Sequence, residues 1–121
     1  MKKIAIVDDE QNILITLKKY LDRSGNFEID TFDNPITALS AIKSGKYDLV
    51  ISDIMMPQMN GIDLLKDVRK TSPNQKFIMI TAFSTEEKII VCDNLNAEDY
   101  ITKPFISLRD VENKVLDILS L

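Results

Sequence analysis

Two kinds of apolar pattern alternate along this chain. Short unbroken runs such as Ile4-Ala5-Ile6-Val7 and Phe77-Ile78-Met79-Ile80 suit strands covered on both faces. Between such runs, apolar residues recur every three or four positions, the period of an amphipathic helix. Strands are predicted at about 3–8, 27–32, 48–53, 76–81 and 98–102.

Five helices are predicted to separate and follow them. The first covers about 10–23, with Ile13, Leu17, Tyr20 and Leu21 as its inward stripe and Gly25 as its stop. The second opens on Asn34 as N-cap with Pro35 in its first turn and ends at Gly45. The third carries Ile62, Leu65 and Val68 inward and ends before Ser72-Pro73. The fourth opens on the capping box Ser84-Thr85-Glu86-Glu87 and ends at Asn96, a residue that tolerates the left-handed cap. The fifth starts at Ser107, with Leu108, Val111, Val115 and Ile118 on one face. Regular alternation of strand and helix predicts one α/β domain over residues 1–121, a (βα)5 doubly wound open five-stranded parallel sheet. Ligands of such sheets bind beyond the carboxyl ends of the strands.

Polar chemistry collects at those ends. The first run closes in Asp8-Asp9-Glu10, the third in Asp53, the fourth in Thr81, and the fifth runs into Lys103-Pro104. Singly, each has a plain reading as a helix cap, a strand terminus or a solvated lysine. As a set they differ: Asp8, Asp9 and Asp53 flank the point where the winding reverses, and carboxylates gathered there resist joint ionisation unless a cation joins them. A hard divalent ion such as Mg2+ accepts one to three carboxylates and still bridges to a phosphate oxygen. An acid triad with a hydroxyl and an ammonium therefore points to metal-assisted phosphoryl chemistry, with Asp53 as acceptor.

Composition narrows the partners. The chain has no histidine, so a phosphohistidine that feeds Asp53 belongs to another protein. A net charge of -4 and a pI of about 4.8 give no support to direct nucleic-acid binding. A single cysteine, Cys92, has no internal disulfide partner, and no run is long enough for a membrane span. The expected setting is the cytoplasm.

With these residues placed, the chain resembles the response-regulator receiver domain of two-component signal transduction from end to end. The resemblance rests on Val7-Asp8-Asp9-Glu10, on Asp53 with Met56-Pro57 and Gly61, on Thr81-Ala82, and on Tyr100-Ile101-Thr102-Lys103-Pro104-Phe105. It implies a flavodoxin-like, chemotaxis-Y-like sheet in the order 2-1-3-4-5. It implies that Asp53 takes phosphate from a sensor histidine kinase or a histidine phosphotransfer protein. Asp8, Asp9, Asp53 and the Met55 carbonyl then resemble the Mg2+ ligands, Thr81 and Lys103 the contacts of the phosphoryl oxygens, and Tyr100 the rotating aromatic of the switch. The chemistry so implied is self-directed phosphotransfer and dephosphorylation in a relay, with no turnover of an external substrate.

Further expectations concern rate and partners. Met55 and Phe83 lie two residues beyond Asp53 and Thr81, where the family tunes hydrolysis of the acyl phosphate. Both are large and apolar here, so a long-lived phosphorylated form is expected. Leu14 and Ile15 fall off the first helix's stripe and are candidates for kinase docking, whereas Ile89 and Ile90 mark the output face. That face, made by the fourth helix, fifth strand and fifth helix, is the expected homodimer or effector surface. An aspartate-nucleophile phosphatase of the haloacid dehalogenase kind would want a second acid two residues after Asp53, where Met55 stands. A flavin-phosphate site would want a Ser/Thr/Gly-rich loop after the first strand, where Asp8-Asp9-Glu10 stands.

Overall fold

The computed structural model describes residues 1–81, 95–103, 105 and 107–120. Five strands, β1 (Lys2–Val7), β2 (Phe27–Phe32), β3 (Leu49–Asp53), β4 (Phe77–Thr81) and β5 (Asp99–Thr102), form one parallel sheet in the order β2-β1-β3-β4-β5. The parallel sheet expected from the alternation is observed, in the order that the resemblance implies. Helices α1 (Gln11–Asp22), α2 (Pro35–Lys43), α3 (Gly61–Thr71) and α4 (Leu108–Leu119) connect and flank the strands, α4 being the fifth of the predicted helices. Of the helix expected over 84–96, residues 84–94, with Ile89, Ile90 and Cys92, lie outside the described residues, as do Phe83 and Pro104.

Caps and turns follow local chemistry. The Asn34 side chain accepts from the Ile36 N–H at 2.8 Å, with Pro35 inside the first turn of α2. Asn60 accepts from Asp63 N–H at 2.8 Å to open α3, and Ser107 from Asp110 N–H at 3.3 Å to open α4. Asn96 takes the left-handed conformation (φ 61), as its residue type allows.

Strand alternation splits the core in two. Ile4, Ile6, Leu49, Ile51, Ile78, Ile80 and Ile101 pack with α1 and α4, while Ala5, Val7, Val50, Phe77 and Met79 pack with α2 and α3. One expectation fails here. Leu14 is 3% exposed and belongs to the core with Leu17 and Leu21, whereas Ile13 and Tyr20 are only partly buried. The inward stripe of α1 runs through Leu14, Leu17 and Leu21, so Leu14 is no surface residue. Ile15, one step of about 100° further round the helix, is 61% exposed. On α3 the deepest apolar residues are Leu64, Leu65 and Val68, with Ile62 at the margin.

At the amino ends of the strands, Arg69 ties α3 to the entry of β5. Its Nε donates to the Leu95 carbonyl at 2.7 Å and its Nη2 to the Asn96 carbonyl at 3.1 Å, with the guanidinium 5.4 Å from the centre of the Phe77 ring. Burial lowers its pKa, against the opposing charge of Glu98. The clamp fixes the course of the strand that ends in the site.

Candidate functional site

The alternation that divides the core also builds the pocket. Asp8 is two residues beyond Ile6, Asp53 two beyond Ile51, and Lys103 two beyond Ile101, all on the α1–α4 side of the sheet. The parallel ladder continues past the strand ends: Asp8 N–H donates to Phe32 O at 3.0 Å, Ile54 N–H to Ile80 O at 2.9 Å, and Lys103 N–H to Thr81 O at 2.8 Å. Three side chains from distant segments therefore arrive together just past the carboxyl edge.

Lys103 closes the group. Its Nζ lies 2.9 Å from Asp53 Oδ2, 3.0 Å from Asp8 Oδ2 and 3.4 Å from Glu10 Oε1. Asp8 is fully buried and Asp53 nearly so, while Asp9 is exposed at the rim. The Glu10 N–H donates to Asp8 Oδ1 at 2.9 Å, and the Met55 N–H to Asp53 Oδ1 at 3.2 Å. Asp8 Oδ2 is different. It is buried with no hydrogen-bond donor among the described residues; the ammonium beside it pairs by charge, with its hydrogen bonds aimed at Asp53 and Glu10.

Electrostatics follows from this packing. Burial pushes the Asp8 carboxyl up to about 6; the Glu10 N–H and the Lys103 ammonium pull it down, and the neighbouring Asp53 charge pushes it up again. Burial works against the Lys103 ammonium, but close contact with the two aspartates and their negative charges raises its pKa above the ordinary value. Oxygens of Asp8, Asp9 and Asp53 lie within 4.8 Å of one another. With a buried carboxylate oxygen lacking a donor, all-oxygen ligands and a high local negative charge, the group fits a hard divalent cation.

The loop after β3 is held by a close approach. Gly61 N–H donates to Ile54 O at 2.7 Å, and a Cβ at residue 61 would collide with the Asp53 carbonyl. Only glycine lets α3 start against the backbone at the end of β3.

Thr81 is 3% exposed at the end of β4, and the half-buried Tyr100 packs with the α2–α3 core. Tyr100 is in register with Met79 and Thr102 with Thr81, so Thr81 and Tyr100 share the face opposite that of Ile80 and Ile101. Met55 is 52% exposed beside Asp53. Sequence reasoning missed Glu10 as a partner of Lys103. The two are 93 residues apart, and the only signal was a third acid following Asp8-Asp9.

Fold and pocket together define a doubly wound α/β protein with a lysine-closed acidic site at its central strands. The profile of the response regulator receiver domain matches residues 4–115, and the chain belongs to that family. It is 37% identical over 118 residues to the alkaline phosphatase synthesis transcriptional regulatory protein PhoP of Bacillus subtilis, covering 98% of this chain and 48% of PhoP. It thus spans about half the length of that relative. Over 116 residues it is 37% identical to the chemotaxis protein CheY of Thermotoga maritima, covering 94% of this chain and 97% of CheY. A CheY-like receiver domain from Methanospirillum hungatei superposes with a TM-score of 0.92 at 32% identity, covering 99% of this chain and 94% of that one. The CheY of a CheX-CheY-BeF3-Mg2+ complex from Borrelia burgdorferi superposes at 0.85 with 28% identity, covering 97% of this chain and 88% of the other.

Proposed function

We propose that this receiver domain is a phosphorylation-activated switch in which Asp53 accepts a phosphoryl group from the phosphohistidine of a sensor histidine kinase or a histidine phosphotransfer protein. The observation that carries the reading is Asp53 itself, a nearly buried carboxylate 2.9 Å from the Lys103 ammonium and within 4.8 Å of two further acids. Asp8, Asp9, Asp53 and the Met55 carbonyl would hold Mg2+, which supplies positive charge to the phosphoryl oxygens. The Mg2+ named with the Borrelia CheY supports that choice of ion.

The chain's residues act by position and charge. A carboxylate oxygen of Asp53 attacks phosphorus in line, the P–N bond to the partner's imidazole breaks, and the bonding pair stays with the imidazole nitrogen. Lys103 moves from pairing carboxylates to pairing a phosphoryl oxygen, a charge already poised within the pocket. The Thr81 hydroxyl donates to another phosphoryl oxygen. Tyr100, on the face shared with Thr81, turns inward as Thr81 moves, and the β5–α4 face shifts its preferred arrangement. Met55 at the rim slows the attack of water on the acyl phosphate.

The donor docks on α1. Exposed Ile15, with Thr16, Lys19, Tyr20, Arg23 and Leu108, lines a shallow groove of about 400 Å3 between α1 and the start of α4. Incubation with Mg2+ and acetyl phosphate, then mass measurement of the intact protein, tests the acceptor. Wild type gains one phosphoryl group and Asp53→Asn gains none; equal labelling of the two overturns the assignment.

A further inference from the structure

Among the described residues the Lys103 ammonium has three carboxylates around it, and only two of them belong to the acid triad. The third, Glu10, stands apart in several ways. Its side chain is 59% exposed, against 0% for Asp8 and 4% for Asp53. Its oxygens lie outside the group formed by Asp8, Asp9 and Asp53. Its backbone is nevertheless tied to that group. The Glu10 N–H holds Asp8 Oδ1 at 2.9 Å, and its carbonyl accepts from Ile13 and Leu14 at the start of α1. Glu10 is the N-cap residue of α1, but its side chain makes no cap hydrogen bond. The carboxylate is left for another task.

We propose that Glu10 is a positioning residue for Lys103, the seat to which the ammonium moves when Asp8 turns to a divalent cation. This rests on the reading of Asp8, Asp9 and Asp53 as the cation site.

Asp8 Oδ2 has one charge partner, the ammonium at 3.0 Å, and no hydrogen-bond donor among the described residues. Two cations cannot share that oxygen without strong repulsion. Binding of a divalent ion therefore drives Lys103 off Asp8 and onto what remains, Asp53 and Glu10. At 3.4 Å, Glu10 Oε1 is already within reach, and its side chain is free enough of packing to follow the lysine. Without Glu10 the displaced ammonium leans on Asp53 alone, which is itself a ligand of the ion. Glu10 thus reduces the competition between lysine and metal and keeps Lys103 beside Asp53, where an incoming phosphoryl oxygen needs it. Because Glu10 is exposed, its effect is modest and is screened by salt.

A double-mutant cycle on Mg2+ binding tests this, with the full chain titrated calorimetrically at low ionic strength. Glu10→Gln weakens Mg2+ binding by about twofold to fivefold, the size expected of an exposed ion pair. In a Lys103→Met background, where no ammonium competes, the same substitution leaves the affinity unchanged. Added KCl at molar concentration abolishes the Glu10→Gln effect in the wild-type background. If Glu10 merely adds negative potential near the ion, Glu10→Gln weakens binding by the same factor in both backgrounds, and the proposal fails while the cation site stands. A wild-type protein that binds no Mg2+, or whose binding survives Asp8→Asn unchanged, overturns the site reading and this proposal together.

Discussion

The Lys103 ammonium lies 3.0 Å from Asp8 Oδ2, a buried carboxylate oxygen with no hydrogen-bond donor among the described residues. One ammonium thus offsets part of the site's negative charge until something with more charge replaces it. On the proposed function the lysine has a structural duty and a chemical one, and a substitution at residue 103 exposes the structural one.

Lys103→Met leaves Asp8 and Asp53 buried together without their cation. Removal of one partner from a buried ion group costs about 3 kcal/mol or more. Urea denaturation at neutral pH without divalent ions is expected to show that loss. Millimolar Mg2+ is expected to restore most of it, because the ion takes over the same charges. A variant destabilised equally with and without Mg2+ would mean that the two cations do not share a site.

Acidity should act through Asp8. A carboxyl held at about 6 instead of its ordinary 3.8 keeps a proton in the folded protein that the unfolded chain has already lost. Its contribution to stability is therefore complete below pH 3.8 and disappears as pH rises through about 6. Cation binding needs the ionised form, so it runs the other way. Apparent Mg2+ affinity should fall by about tenfold per pH unit below pH 6 and level off above it. Calorimetry across pH 5 to 7.5 in two buffers of different ionisation heat would also detect the proton released on binding. A flat affinity profile would remove Asp8 from the ligand set.

Gly61→Ala is expected to destabilise the protein by about 1–3 kcal/mol, since a methyl group must push the Asp53 carbonyl aside. Helix propensity alone argues the opposite sign, because alanine is the better helix former. Denaturation midpoints decide between them. The same shift of backbone should lower the rate of acyl phosphate formation at Asp53, as the acceptor is displaced.

The central features of the site were readable because unbroken apolar runs end in charged residues, and strand alternation then fixes which side they take. Asp8 and Asp53 follow from that rule, whereas Lys103 follows a short mixed strand, Asp99–Thr102, and stands out only beside the acids. The orientation of α1 does not follow from the rule. Ile13, Leu14, Leu17, Tyr20 and Leu21 support two stripes that share Leu17 and Leu21, and only packing against the sheet and α4 selects the one through Leu14. Glu10 was hidden for another reason: its partner is 93 residues away and reached only through a long, exposed side chain.

Adjacent residues on α1 should therefore respond in opposite ways. Leu14→Ala is expected to cost about 2–5 kcal/mol of folding stability, since it opens a cavity at a position 3% exposed. Ile15→Ala, at 61% exposure, should stay within about 0.5 kcal/mol of wild type. Its effect should instead fall on phosphotransfer from a histidine kinase, with acetyl phosphate labelling unchanged. Loss of both reactions in Ile15→Ala would argue against the groove as a docking surface.

Met55 offers a test of lifetime. Its N–H is 3.2 Å from Asp53 Oδ1 and the residue is 52% exposed, so an apolar side chain stands at the rim beside Asp53. An amide at residue 55 can hold and orient a water where a thioether cannot. Met55→Asn should accelerate loss of phosphate several-fold after the donor is removed, while the extent of Asp53 labelling and the folding stability stay close to wild type. Following the intact mass over time gives the rate directly. Hydrolysis that is unchanged or slower in Met55→Asn would show that Met55 does not govern access of water to the acyl phosphate.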